Sequence, residues 1–330
     1  MLNQTELTAL SKGDELDHFL LLRKIEIKTA RNGSDYLNLE LGDRSASYSS
    51  NIWDNFSSIY NNFKVGDVVK IKGSIDEYQG IPQIKISTIK PVEKSENISI
   101  GEFMPKSQRD LQVMKKEFTD RLETVKNTFL KSLMKLIFND ENFEKFLNSP
   151  AGKSWHHAYV HGLIEHTLEI MKICDLMCDI HPEINRDLLI CGAMMHDFGK
   201  TEELSVEESF NYTEKGKLLG HIVISAMIIN EQSKNISNFP IDLKNNLLHI
   251  VLSHQGKLEF ASPVVPKTIE AITLYQADEL SAKVNAYKNA LASGIKGENK
   301  WTRFISLAGT ELHQHNFTSE DDELNKSLFD

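Results

Sequence analysis

The sequence predicts an all-β barrel at the N-terminus followed by an all-α domain. Two observations carry this prediction: apolar and polar residues alternate through the first third of the chain, whereas from about Pro105 apolar residues recur every three to four positions. The 330 residues are enough for two domains of about 150 residues each. With 40% hydrophobic and 25% charged residues, the composition is that of a globular protein and excludes a largely disordered or fibrous chain.

The first third contains five predicted strands and one helix, separated by turn residues such as Asn32-Gly33 and Gly42-Asp43. The strands are predicted at Phe19 to Lys28, Leu37 to Leu41, Arg44 to Ser50, Val68 to Gly73 and Gln83 to Ile89, and the helix at Ile52 to Phe63. Short strands with one helix inserted after the third are typical of a Greek-key barrel of the OB type.

Four aromatic residues of this barrel are candidate contacts with nucleic acid, because small barrels of this type stack the bases of single strands on exposed rings. They are Tyr36, Tyr48, Trp53 and Tyr78. The alternative is that two or three of them belong to the core of the barrel. The pattern alone favours neither interpretation.

A long apolar stripe from Leu111 to Leu136 predicts one helix or two that link the barrel to the rest of the chain. Helical periodicity continues to about Leu291. The predicted organisation is an N-terminal extension (1–14), an OB-like barrel (15–95), a helical linker (96–145), an all-α domain (146–292) and a C-terminal segment with an acidic tail (293–330). The apolar helix faces near Phe129 to Ile137 are a candidate surface for homo-oligomerisation.

The charge balance and the apolar runs exclude several classes of protein. With 37 basic and 47 acidic side chains the net charge is −10, which argues against a basic nucleic-acid coat protein but leaves room for a local basic groove. Three cysteines are too few for a disulfide framework, so a reducing compartment is expected. The longest apolar runs span about 8 residues, against the roughly 18 of a membrane span. We therefore expect a soluble, cytoplasmic protein without a membrane partner.

The histidines are concentrated in the helical region, where nine of the 12 lie between His156 and His254. The strongest candidates for metal ligands sit in apolar helical segments: His166, His196, Asp197, His221, His254 and Asp278. Imidazoles and carboxylates bind divalent ions such as manganese, iron, cobalt, nickel and zinc. An unpaired buried polar group costs about 1–3 kcal/mol, and convergence on a metal would satisfy all six together. Any one histidine alone is more simply explained as a hydrogen-bonded core or surface residue.

The order formed by His166, the His196-Asp197 doublet and Asp278 resembles the H…HD…D pattern of the HD-domain metal-dependent phosphohydrolases. The similarity extends through residues 154–159, 163–167, 194–200, 216–222, 252–254 and 256–259. With an OB-type barrel in front, the chain is similar to the YhaM family of 3′→5′ exoribonucleases over about residues 15–310.

The resemblance implies roles for particular residues. His166, His196, Asp197 and Asp278 would form the first metal site, and Asp197 would bridge toward a second ion held by His221 and His254. Asp197 and Lys200 are the implied catalytic residues, with the Lys200 ammonium reaching a phosphate oxygen. The family pattern has glycine where His161 stands and a second histidine where Gln255 stands. The roles of His156, His157, His161 and Gln255 are left open.

The implied activity is hydrolysis of single-stranded RNA from its 3′ end to nucleoside 5′-monophosphates by a metal-activated water, with single-stranded DNA as an open second substrate. The expected cofactor is Mn²⁺, with Co²⁺, Fe²⁺, Ni²⁺ or Mg²⁺ as alternatives, bound as one ion or two. A second hypothesis is an HD-domain phosphohydrolase of small nucleotides: a nucleotidase, a (p)ppGpp hydrolase or a cyclic-nucleotide phosphodiesterase. A third is a non-catalytic single-strand binder. Stepwise shortening of an RNA would be seen with the exoribonuclease but not with the other two.

Overall fold

The computed structural model describes residues 4–30, 32–78, 80–92, 98, 100–153, 156–205, 211–294, 300–306 and 308–315. These residues form a closed barrel followed by a helical domain, which confirms the predicted fold class. Most of the predicted acidic tail lies outside the described residues, as do Ser154 and Trp155 of the segments that resemble the YhaM family.

The barrel has five strands in the order β1-β2-β3-β5-β4 and closes between β1 and β4. Its elements are β1 (Glu15–Thr29), β2 (Asp35–Gly42), β3 (Ser47–Ile52), α1 (Ser57–Asn62), β4 (Val68–Tyr78) and β5 (Ile81–Pro91). All pairings are antiparallel except that of β3 with β5, where Ser49 lies opposite Gln83. This order, with the helix after the third strand, is the predicted OB-like arrangement.

The inward residues of the strands form the core of the barrel, as the period of two requires. Leu37, Leu39 and Leu41 of β2 are all fully buried, and a short 3-10 helix at Leu7–Ala9 adds Leu7 to the same cluster. The predicted helix over Ile52 to Phe63 is shorter than expected. Ile52 ends β3, and Asn55 has a left-handed backbone with φ of 53°, so the helix begins only at Ser57.

The helical part contains nine α-helices and one small hairpin within the described residues. They are α2 (Leu111–Thr124), α3 (Thr128–Ile137), α4 (Asp140–Asn148), α5 (Gly162–Ile180), α6 (Arg186–Met195), α7 (Lys200–Glu203), β6 (Leu204–Ser205), β7 (Asn211–Tyr212), α8 (Glu214–Ser233), α9 (Ile241–Ser253) and α10 (Ile269–Gly294). Across the part of the chain that is described, no helix combines the length and apolarity needed to cross a membrane.

The long apolar stripe belongs to two helices, because Val125 is extended and Asn127 caps the start of α3 by accepting bonds from two backbone amides. The stripe faces inward: Leu130, Leu133 and Ile137 are fully buried in the helical core. The face near Phe129 to Ile137 is therefore mostly covered by the protein itself; of its apolar residues only Leu136 is exposed, at 39%. It gives no support to the predicted self-association.

The segment that follows the barrel contacts both parts of the protein. Phe103 and Met104 are buried against Leu21 of β1 and against Val160. The Val160 amide donates to the Pro105 carbonyl at 2.9 Å, and the Ser107 amide donates to the Val160 carbonyl at 3.0 Å. Val160 lies two residues before α5, so this contact connects the barrel to the helix that carries His166.

Candidate metal centre

Five segments of the helical domain bring all six predicted metal ligands together. His166 lies on the second turn of α5, His196 and Asp197 directly follow α6, and His254 follows α9. His221 lies within α8 after a kink at Gly220, and Asp278 lies within α10. His221 is partly buried, and the other five residues are buried.

The Asp197 carboxylate stands between two pairs of histidines. Its Oδ2 lies 3.3 Å from His196 Nε2 and 3.7 Å from His166 Nε2. Its Oδ1 lies 3.3 Å from His221 Nε2 and 3.6 Å from His254 Nε2. Each carboxylate oxygen thus faces its own group of imidazole nitrogens, an arrangement that suits a bridging ligand between two cations.

Asp278 adds a second carboxylate to one of these groups, because its Oδ1 lies 3.1 Å from His166 Nε2. The donors therefore divide into two sets that share Asp197. One set consists of His166, His196, Asp197 and Asp278, and the other of Asp197, His221 and His254. The first set has four donors and the second three.

The chemistry of these atoms fits a divalent cation. Within the described chain, Nε2 of His166, His196 and His221 and Oδ1 of Asp197 are shielded from solvent without a hydrogen-bond partner. Leaving such a group unpaired costs about 1–3 kcal/mol. Mixed imidazole and carboxylate donors are suited to manganese, iron, cobalt, nickel and zinc. A cation at this position would satisfy all four atoms at once.

The other ring nitrogen of each histidine is held by the protein. Nδ1 of His196 lies 2.7 Å from the Ala193 carbonyl, and Nδ1 of His254 lies 2.7 Å from the Val251 carbonyl. Because a carbonyl only accepts, each Nδ1 carries the proton and each Nε2 presents a lone pair to the centre. Nδ1 of His221 lies 3.1 Å from Oε1 of Glu203, which fixes that ring in the same way.

Burial and the neighbouring charges set the protonation of the centre. Burial opposes ionisation of Asp197, but the Lys200 ammonium and His196 outweigh it and hold the pKa of Asp197 well below its usual range. At Asp278 burial is likewise outweighed by His166 and His196, so its pKa is also lowered. Burial lowers the pKa values of His166 and His254. At His196 burial is outweighed by the Asp197 carboxylate, so its pKa is raised. Ionised carboxylates and the neutral imidazoles of His166 and His254 are the forms that bind metal.

Lys200 points toward Asp197 in this structure. Its Nζ lies 2.6 Å from Asp197 Oδ2 and 2.5 Å from the Ala151 carbonyl, and the residue is 7% exposed. The ammonium therefore balances the buried Asp197 charge. The contact of Lys200 with a phosphate oxygen remains a prediction. Lys200 also borders the cavity beside the candidate ligands.

Sequence reasoning missed a polar network behind His166. The Ser281 hydroxyl donates to Glu169 Oε2 at 2.7 Å, which leaves its oxygen to accept from His166 Nδ1 at 3.1 Å. His157 Nε2 lies 3.2 Å from the same Glu169 oxygen. Helical spacing could have indicated this network, because Glu169 follows His166 by three positions and Ser281 follows Asp278 by three, which places each pair on one helix face.

The four residues with open roles have distinct positions. His156 borders the cavity, and burial lowers its pKa to about 2. His157 is fully buried beside Glu169. His161 has a left-handed backbone with φ of 69°, a conformation that suits the glycine of the family pattern, and its Nδ1 lies 2.7 Å from the Leu147 carbonyl. Gln255 Nε2 lies 3.2 Å from His254 Nε2.

Close backbone approach at Gly199 allows His221 to reach Asp197. A Cβ at Gly199 would lie 2.2 Å from the His221 carbonyl oxygen, far inside van der Waals contact. The Gly199 amide also donates to the Ser225 hydroxyl at 2.7 Å. The turn after Asp197 therefore packs directly on the backbone of α8.

A cavity of about 200 Å³ opens beside the centre. Besides His156, Asp197, His254 and Asp278, its lining includes the rings of Phe260 and Tyr275. Ligand pockets for drug-sized molecules begin at roughly 300 Å³. The cavity is thus sized for the reacting end of a larger substrate.

The four barrel aromatics do not share one environment. Tyr36 and Trp53 stack with ring centroids 4.6 Å apart, and Trp53 is 51% exposed. Tyr78 is also exposed. Tyr48 packs against the barrel core, and its hydroxyl donates to the Leu7 carbonyl at 3.2 Å. Trp53 and Tyr78 are therefore accessible to a strand, Tyr36 is half-buried beneath Trp53, and Tyr48 has a structural partner.

Comparison with known proteins identifies both parts of the chain. The HD domain family matches residues 163–283, and the OB-fold nucleic acid binding domain family matches residues 23–92. The 3′-5′ exoribonuclease YhaM of Bacillus subtilis is 33% identical over 87% of this chain and 90% of its own length. The enzymes of the same name from Listeria monocytogenes (33% identical, 87% and 91%) and Bacillus velezensis (32% identical, 87% and 90%) are similar to the same extent. The chain belongs to the YhaM family of 3′-5′ exoribonucleases, which confirms the resemblance found in the sequence.

Replacing Ser281 by alanine is expected to weaken Mn²⁺ binding by about 10- to 100-fold, the usual effect of losing a group that orients a metal-binding histidine. Calorimetric titration of the full chain, first stripped with EDTA, measures the affinity. Ser233→Ala on α8 is the matched control, since Ser233 is similarly buried but bonds only to its own helix. Unchanged affinity in Ser281→Ala would contradict the positioning role.

Replacing Gly199 by alanine is expected to weaken any metal binding that depends on His221 and to spare binding by His166, His196 and Asp278, because the added Cβ displaces the α8 backbone. The same titration counts the bound ions, and thermal unfolding in EDTA verifies the fold. Gly152→Ala is the control, because its Cβ comes no closer than 3.4 Å to another atom. A folded Gly199→Ala protein that binds metal like the wild type would refute this dependence.

Proposed function

We propose that this member of the YhaM family is a metal-dependent 3′→5′ exoribonuclease that hydrolyses single-stranded RNA to nucleoside 5′-monophosphates. The observation that carries the proposal is the Asp197 carboxylate, with each oxygen 3.3–3.7 Å from its own pair of histidines. The name shared by the relatives supplies the substrate and the direction.

In this proposal His166, His196, Asp197 and Asp278 hold one divalent ion, and Asp197, His221 and His254 hold a second. The ion is Mn²⁺, with Co²⁺, Fe²⁺, Ni²⁺ and Mg²⁺ as the alternatives. Imidazole and carboxylate donors together accommodate all of these except Mg²⁺, which prefers oxygen ligands and water. Four imidazoles therefore favour the transition metals.

A bound divalent ion would supply Lewis acidity at the phosphate and activate a water. The chain's own residues prepare the site for that chemistry. Asp197 and Asp278 stay ionised because their pKa values are lowered, and Lys200 balances part of their charge. Hydrogen bonds at Nδ1 keep the imidazoles aimed at the centre.

A thiol nucleophile is not part of the proposed mechanism. Cys174 and Cys191 are buried on the core sides of α5 and α6, and burial raises the pKa of both thiols. A neutral, buried thiol neither reaches the cavity nor attacks a phosphate. Direct attack by water therefore requires no covalent intermediate with the protein.

The barrel is proposed to select a polymer over a small nucleotide. The stacked pair of Tyr36 and Trp53 and the exposed ring of Tyr78 offer base-stacking surfaces. We further propose single-stranded DNA as a second substrate and the cytoplasm as the location, which suits three free cysteines. Homo-oligomerisation stays a prediction without an assigned surface.

Asp197→Asn is expected to slow RNA hydrolysis by more than about 100-fold. Losing a group that only orients a metal ligand costs about 10- to 100-fold, and Asp197 is itself a proposed ligand. The substitution removes the charge shared by both donor sets and keeps the side-chain size. The measurement is a sequencing gel of 5′-labelled single-stranded RNA with Mn²⁺. The wild type should give a ladder that retreats from the 3′ end, and EDTA should abolish it.

Asp179→Asn, at an exposed position near the end of α5, is the control and should cleave like the wild type. Wild-type turnover by Asp197→Asn, or a ladder that survives EDTA, would contradict the proposal. Hydrolysis of small nucleotides with RNA untouched would favour the nucleotide phosphohydrolase. RNA binding without hydrolysis with any of the metals would favour a single-strand binder.

Trp53→Ala is expected to raise KM for RNA about tenfold, because stacking one base on an aromatic ring contributes roughly 1–3 kcal/mol. Hydrolysis of bis(p-nitrophenyl) phosphate, which the barrel has no reason to bind, should not change. Tyr60→Ala in α1 removes another exposed barrel aromatic and is the control. Equal losses on both substrates would show that Trp53 is structural and not a contact for RNA.

A further inference from the structure

An exposed aromatic ring stands at the mouth of the metal centre. Phe260 lies in a short 3-10 helix, Leu258–Phe260, six residues after His254, and is 50% exposed. Its side chain lines the same cavity as Asp197 and Asp278. The ring is therefore accessible to a ligand that enters the cavity.

The loop that carries Phe260 is firmly held. Gly256 has φ of 76°, and a Cβ there would lie 2.2 Å from the ring of Tyr275, so the loop backbone packs directly on that ring. The buried Ser262 hydroxyl lies 3.1 Å from the Leu252 carbonyl and 2.9 Å from the Val264 carbonyl. The exposure of Phe260 is therefore a feature of an ordered loop.

A second aromatic side chain borders the same cavity. Tyr275 lies on α10 one helical turn before Asp278 and lines the cavity. Two lysines accompany the rings. Lys257 Nζ lies 5.1 Å from the centroid of Phe260 and 3.7 Å from Glu259 Oε1. Lys283 lines the cavity, where its Nζ lies 2.6 Å from Oε1 of Glu279. Aromatic faces with cations beside them are the combination that binds bases and phosphates of a single strand.

We propose that Phe260 and Tyr275 form a nucleobase subsite for the 3′-terminal nucleotide, with Lys257 and Lys283 near the phosphates of the strand. The inference rests on the proposed hydrolysis of RNA and adds that the enzyme senses whether the terminal nucleotide carries a base. Every base has a π-face, so the subsite accepts all four bases. It discriminates against an end that lacks a base.

The experiment compares two 5′-labelled RNAs that differ only in the terminal nucleotide, which has lost its base in one of them. The wild type should favour the intact end by about tenfold in kcat/KM for the first cleavage, the range expected for one stacked base. Phe260→Ala should reduce this preference to nearly one. Phe260→Tyr should restore the preference.

Leu258→Ala is the matched control, because Leu258 is an exposed apolar residue of the same loop outside the cavity lining. It should keep the tenfold preference. If Leu258→Ala abolishes the preference as Phe260→Ala does, the loop acts through its apolar surface as a whole and the subsite is refuted. Equal cleavage of both RNAs by the wild type refutes it as well.

Binding of the same two RNAs in EDTA, measured by fluorescence anisotropy, tests the subsite independently of hydrolysis. A preference for the intact end that disappears in Phe260→Ala supports the subsite even if neither RNA is cleaved, in which case only the proposed activity fails. Cleavage of RNA without a preference in either assay leaves the activity standing and overturns the subsite.

Discussion

The buried carboxylate of Asp197 is the constraint on which the rest of the site depends. A carboxylate removed from water is costly unless cations or donors surround it. Lys200 lies against Oδ2, whereas Oδ1 faces His221 and His254 without a hydrogen bond among the described residues. The fold meets this demand by directing side chains from α5, α8, α9 and α10 to the turn that follows α6.

That convergence requires tight packing of backbone on backbone. Gly199 admits the His221 carbonyl, and Gly162 admits the His157 carbonyl, because a Cβ at either position would lie about 2 Å from an oxygen. The left-handed backbones of His157 and His161 shape the loop that leads into α5. These strained positions bring His157 against Glu169, and Glu169 in turn holds Ser281 and His166. The strained backbone of this loop thus helps to hold the candidate ligand His166 in position.

The barrel contacts the start of α5 through the segment that follows β5. The segment at Phe103 and Met104 packs on β1 and pairs with Val160 next to α5. A strand held on the barrel is therefore anchored to the helix that carries the first histidine of the site. Within the proposed function, this contact would fix the barrel in position relative to the candidate ligands.

The sequence pattern predicts the barrel, the helical domain and the clustering of the six candidate ligands. Strand alternation, helical periodicity and histidines within apolar helical segments can each be recognised locally in the sequence. It did not predict where α1 begins, since that depends on the left-handed Asn55. It gave no partner for Lys200, because a lysine one turn from Asp197 can point to the carboxylate or to solvent. Phe260 was also missed: its significance comes from exposure beside the metal centre, which only the three-dimensional structure reveals.

The bridging role of Asp197 is tested most directly by a crystal structure with Mn²⁺, recorded with anomalous diffraction so that each ion is located by its own signal. We expect two peaks, one between Asp197 Oδ2, His166, His196 and Asp278, and one between Asp197 Oδ1, His221 and His254. A single peak that leaves one Asp197 oxygen unligated would contradict the bridging role. A peak at the His157, His166 and Glu169 cluster instead would contradict the assignment of the site.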